Sequence, residues 1–150
     1  MNSNFEDAIK TFPATLERLT ASPPHRPGAR LPKQGVYVFS ENDRAVYVGR
    51  SNNIPARYRH HTGPKSRTNE AALALLIARK EMGRIVSYAK GARQRLLEDS
   101  EFMNAFERAK EKVRKMTFRA VEERNQERQA LLEIYCAMTL EAPFNDFGTH

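Results

Sequence analysis

The segment "GVYVFSENDRAVYVG", residues 35 to 49, constrains the fold more than any other part of the chain. Val36-Tyr37-Val38-Phe39 and Ala45-Val46-Tyr47-Val48 are β-branched and aromatic, which suits a pleated, half-buried surface. Glu41-Asn42-Asp43 between them is turn chemistry, because Asn and Asp tolerate left-handed backbone angles and bond their own backbone. The two runs read as an antiparallel hairpin over residues 35–50. With the turn centred on Asn42, Tyr37 falls directly opposite Tyr47, and two phenols meet on one face with side chains about 5 Å apart. Gly35 and Gly49 bracket the pair, and without side chains they let a backbone or a ligand come close.

Around the hairpin, periodicity sets the other elements. Phe5, Ala8, Ile9, Phe12, Leu16 and Leu19 follow helical spacing over 4–21, with Pro13 a point where the helix is expected to kink or split. Four prolines within residues 22–34 make a rigid connector. Ser51-Asn52-Asn53 offers helix caps before a short helix over 54–61, which His61-Thr62-Gly63-Pro64 stops. A basic loop, Lys65-Ser66-Arg67, leads to an Ala- and Leu-rich helix over 69–82. "RIVSYA", residues 84–89, reads as a short strand. A helix over 99–115 puts Phe102, Phe106, Ala109 and Val113 on one side. "MTFRAV", 116–121, alternates like a strand, and a last helix covers 124–141 before Ala142-Pro143. The order is α+β, with helices packed on a small antiparallel sheet.

A chain of 150 residues with 40% apolar and 29% charged content suits one globular domain. No apolar run is long enough to span a bilayer, and the N-terminus lacks a signal-peptide pattern, so a cytoplasmic location is expected. The single cysteine, Cys136, excludes an intramolecular disulfide framework, and four scattered His give no zinc spacing. The net charge of +7 favours a polyanionic partner, nucleic acid being the commonest. Arg67, Arg79, Lys80, Arg84, Lys90, Arg93 and Arg95 form a collection that either tracks phosphates or is simply a solvated surface.

Three features bear on chemistry, each with a structural alternative. The tyrosine pair is functional or serves packing. Arg57 and His61 lie one helical turn apart, about 6 Å along the axis, which suits an anion or a solvated face. Glu133 and Thr139 are the two residues that are not apolar in the run Ala130 to Leu140. A carboxylate in such a run is costly to bury unless paired with a cation or a metal; otherwise it points outward at the edge of the stripe.

Taken together, these residues resemble the GIY-YIG nuclease family. Its two motifs correspond to Gly35-Val36-Tyr37 and Tyr47-Val48-Gly49, with Val in place of Ile in both. Arg57 stands ten residues after Tyr47 where the family has its helical arginine, and His61 where many members carry His or Tyr. Glu133, followed twelve residues on by Asn145 in a Pro-x-Asn ending, matches the family's metal-binding Glu. Arg50 keeps a positive charge after the second glycine.

The resemblance covers residues 33–62 and 113–147. It implies a small three-stranded antiparallel sheet flanked by helices, in one domain over 1–150. Residues 1–33 would then be an N-terminal helix and connector, and 63–112 a helical insertion. It further implies an endonuclease using one Mg²⁺ or Mn²⁺ on double-stranded or branched DNA. Catalytic roles would fall to Tyr37, Tyr47, Arg57, His61 and Glu133, with Glu133 on the metal. Tyr37 would orient or deprotonate the attacking water, the latter only if cationic neighbours lowered its pKa. Gly35, Gly49, Arg50 and Asn145 would support the site, and Arg50, Arg57, Lys65 and Arg67 would contact nucleic acid. A non-catalytic nucleic-acid-binding module on the same fold, or a nuclease subunit of a larger complex, is the alternative.

Overall fold

Asn42 and Asp43 close the hairpin as a two-residue turn, both with left-handed φ, 53° and 63°. Such a turn matches the right-handed twist of the strands it joins. The computed structural model describes residues 3–83 and 100–147. In chain order its elements are α1 (Ser3–Ala21), β1 (Gly35–Glu41), β2 (Arg44–Ser51), α2 (Ile54–Thr62), α3 (Ala72–Glu81), α4 (Ser100–Arg114), β3 (Thr117–Glu122) and α5 (Gln126–Thr139). They form two compact units, Met1–Arg57 with Met116–His150, and Tyr58–Lys115. The stretch expected as a helical insertion, 63–112, falls within the second. The strand expected over 84–89, together with Arg84, Lys90, Arg93 and Arg95, lies outside the described residues.

The fold class is α+β, as expected. In the first unit the sheet order is β2-β1-β3, all antiparallel. β1 is central and buried on both faces. Val36, Val38 and Val48 turn to one side, where they form a core with Ala8, Phe12 and Leu19 of α1 and Leu132, Cys136 and Ala137 of α5. Tyr37, Phe39 and Phe118 turn to the other and pack ring on ring, with centroids 4.9 to 6.0 Å apart.

The register corrects the sequence expectation. Tyr37 pairs with Gly49 rather than Tyr47, and Tyr47 pairs with Phe39. Two one-residue offsets produce this. The turn is centred between Asn42 and Asp43 instead of on Asn42, and Val46 is an extra residue, because the pairing passes from Phe39↔Tyr47 to Ser40↔Ala45. Since side chains alternate with period two, a total offset of two keeps both tyrosines on one face while setting them diagonally.

Element ends also differ where caps act. α1 runs unbroken through Pro13, which is exposed, while Phe12 and Leu19 on either side of it are buried and hold the helix to the core. α5 starts at Gln126 rather than 124, because Asn125 accepts a hydrogen bond from the Arg128 N–H and caps it. α3 starts at Ala72 rather than 69, because the Glu70 carboxylate accepts from the Arg67 N–H and holds the preceding residues in a turn.

The second unit packs α3 on α4 through buried Leu73, Ala74 and Ile77 and buried Phe102, Ala105 and Phe106. Lys110 is buried there, and its Nζ donates to the carbonyls of Pro64 and Ser66, each at 2.9 Å, and pairs with Glu107 at 3.1 Å. Among the described residues, no helix is long and apolar enough to cross a membrane.

Candidate active site

Both motif glycines have a steric cause. A Cβ on Gly35 would run into the Val121 carbonyl oxygen of β3, so this glycine admits a neighbouring backbone. A Cβ on Gly49 would run into Cζ and Oη of Tyr37, and would stand 2.8 Å from its Cε1. The Tyr37 ring therefore lies across Gly49, passing over the strand position where any other residue would obstruct it. The absent side chain lets the phenol reach along the sheet face toward its neighbours.

Those neighbours come from three further elements. Tyr47 of β2, Arg57 of α2 and Glu133 of α5 all act electrostatically on Tyr37, and Arg57 is hydrogen-bonded to its side chain. Burial pushes the Tyr37 phenol far above its usual value; Tyr47 and Glu133 add to the rise, and Arg57 opposes it without overcoming it. Burial likewise raises Tyr47, with Glu133 adding and Arg57 opposing. Tyr37 is thus a neutral hydroxyl near pH 7. It can donate or accept a hydrogen bond, but the cationic neighbour does not make it a phenolate.

Glu133 is half-buried, with 21% of its side chain exposed. Burial raises its pKa, and Arg50 counters this from 3.8 Å, Nε to Oε1. Of the alternatives open in the sequence, the structure thus provides an arginine partner. Arg50 also donates from Nη1 to Gln129 Oε1 at 3.2 Å. Sequence reasoning missed Gln129. It lies one turn before Glu133 and is 1% exposed, and a lone amide on the buried stripe of α5 was the available signal.

Asn145 acts on backbone. Its Oδ1 accepts from the Val48 N–H and its Nδ2 donates to the Val48 carbonyl, both at 2.7 Å. With Phe144 N–H donating to the Val46 carbonyl at 3.2 Å, the tail is tied along the edge of β2. Tyr47, flanked by both contacts, is thereby fixed in place.

The structure brings Tyr37, Tyr47, Arg57, Glu133 and Arg50 together, supported by Gly35, Gly49 and Asn145. His61, Lys65 and Arg67 belong to the second unit. His61 is fully buried, so it is no part of a solvated helix face; Lys65 and Arg67 are exposed. These two basic residues line a cleft of about 490 Å³ floored by Met103, Phe106 and Lys110.

Among the described residues no cluster of three or more His, Cys, Asp or Glu could hold a metal ion. The donor set is one half-buried carboxylate. Among the described residues that makes no all-protein cage, but it fits Mg²⁺ or Mn²⁺, hard cations that keep several waters and take one or two carboxylates plus substrate phosphate. No protein-family model, curated protein or solved structure matches this chain.

Proposed function

We propose that this chain is a GIY-YIG-type endonuclease domain that hydrolyses a DNA phosphodiester with one divalent cation. The observation that carries the reading is convergence. β1, β2, α2 and α5 contribute two phenols, a guanidinium and a half-buried carboxylate to one electrostatic cluster. Packing alone calls for neither an arginine hydrogen-bonded to the buried Tyr37 nor a carboxylate within electrostatic reach of both phenols.

Each residue then has a chemical role. Glu133 holds the cation, which when bound supplies Lewis-acid polarisation of the phosphate. Arg57 faces the charge that builds on the phosphate oxygens as water attacks and the bond to the 3′ oxygen breaks, the water's proton passing to solvent and the departing 3′ oxygen taking one up from it. Tyr37, kept neutral by burial, orients the water through its hydroxyl rather than taking its proton as a phenolate. Tyr47 hydrogen-bonds the phosphate or the water. The net charge of +7 favours the polyanionic substrate.

The test is incubation with supercoiled, linear, branched and single-stranded DNA in Mg²⁺ or Mn²⁺. Wild type should cut at least one form. Glu133→Ala should abolish cutting while DNA binding persists. Arg57→Ala should slow it on the order of 10²-fold or more, with a far smaller change in affinity. Binding without cleavage of any form would instead make the chain a nucleic-acid-binding module.

A further inference from the structure

Arg50, next to Gly49 within β2, reaches with its side chain to α5, where Gln129 and Glu133 stand one turn apart. It treats the two differently. Its Nη1 makes a hydrogen bond to Gln129, whereas its Nε lies 3.8 Å from Glu133, a Coulombic rather than a hydrogen-bonding separation. The Gln129 amide is locked. Its Nε2 donates to the Glu123 carbonyl at 3.0 Å and to Asn52 Oδ1 at 3.3 Å, so its oxygen must face Arg50. Asn52 is held in turn by Gln126, through bonds of 2.6 and 3.0 Å. The guanidinium therefore has one fixed neutral anchor and one loosely held charge partner.

We propose that Arg50 is a placeholder for the divalent cation at Glu133. It balances the half-buried carboxylate in the metal-free chain, which would otherwise carry an uncompensated charge. It gives up that role when the cation enters, while the bond to Gln129 keeps its side chain in place. The inference rests on the reading of Glu133 as the metal ligand. Its distinctive content is antagonism: removing a positively charged residue should change metal affinity by a sizeable factor, and removing its neutral anchor should change it the other way.

The experiment is calorimetric titration of the full chain with Mn²⁺ alone, without DNA. Wild type should bind one ion, lost in Glu133→Gln. Arg50→Gln should bind it about two- to fivefold more tightly, since a partly exposed ion pair is removed from the competition. Gln129→Met leaves Arg50 with Glu133 as its partner and should weaken Mn²⁺ about two- to threefold. Arg50 is exposed, so Arg50→Gln decides the matter even where Gln129→Met fails to fold. Unchanged or weaker binding in Arg50→Gln, with wild-type binding still dependent on Glu133, overturns the placeholder alone. Binding that is absent from wild type, or indifferent to Glu133→Gln, overturns the metal reading along with it.

Discussion

Replacing Gly49 with Ala tests the central geometric claim, that the Tyr37 ring crosses β2 where a side chain is missing. Elsewhere in a strand, Ala is better than Gly by about 0.5–1 kcal/mol because the unfolded chain loses less entropy. Here the new Cβ would meet Tyr37 at Cζ, Oη and Cε1. The ring cannot simply swing aside. It is 1% exposed and packed against Phe118 at 5.3 Å and Phe39 at 6.0 Å. Overpacking of this kind costs about 1–3 kcal/mol. Taking the middle of each range, the balance is a net loss of about 1 kcal/mol, or a fall in Tm of about 2–4 °C for a chain of this size.

Tyr37→Leu shortens the side chain and removes the collision, so Gly49→Ala in that background should be neutral or stabilising by up to about 1 kcal/mol. Urea and thermal unfolding of the four proteins, followed by circular dichroism, complete the cycle. A Gly49→Ala chain as stable as wild type, or the same cost in both backgrounds, would refute the crossing.

Three further outcomes follow from the same geometry. Tyr37 and Tyr47 have folded pKa values raised by burial, so the stability they contribute is present below the unfolded phenol value of about 10 and is lost as pH rises through the folded values. Unfolding against pH, with absorbance at tyrosinate wavelengths, should show alkaline destabilisation that Tyr37→Phe lessens; a Tyr37 phenol ionising below its usual value would restore it as a base. Asn145→Ala should cost about 1–3 kcal/mol by removing both bonds to Val48, and Asn145→Asp should not rescue it, because a carboxylate oxygen would then face the Val48 carbonyl. Lys110→Met should cost about 2 kcal/mol in urea unfolding by leaving the Pro64 and Ser66 carbonyls without their donor, and should hasten amide exchange around residues 64–67.

What the sequence made legible follows from the range of the interaction. The hairpin and the long helices rest on local patterns, so they stand close to where the residues placed them. The register of β1 on β2 does not, because it depends on a one-residue bulge at Val46 whose carbonyl is bonded by Phe144, far along the chain. The candidate site divides the same way. Tyr37, Tyr47, Arg57 and Glu133 were visible as residue types at set spacings. Arg50 beside Glu133 was not, since nothing in either segment says that β2 points a guanidinium at α5. Nor was the direction of the Tyr37 shift, because two competing influences, burial and Arg57, must be weighed in space. Asn145 was expected as a supporting residue, but its two bonds to the Val48 backbone, 97 residues away, could not be read from any local pattern.

The sheet order carries a consequence for how the chain assembles. β1 is bonded on one side to the strand that follows it after a two-residue turn, and on the other to a strand that begins only at Thr117. The first pairing is local and belongs to the microsecond events of folding. The second closes a loop containing the whole of Tyr58–Lys115, and the entropy of that closure must be met before Phe39 and Phe118 can touch. The segment that carries α3 and α4 thus bears on the rate at which the two phenols, the arginine and the carboxylate are assembled, through the length of the loop it spans, without supplying any of them.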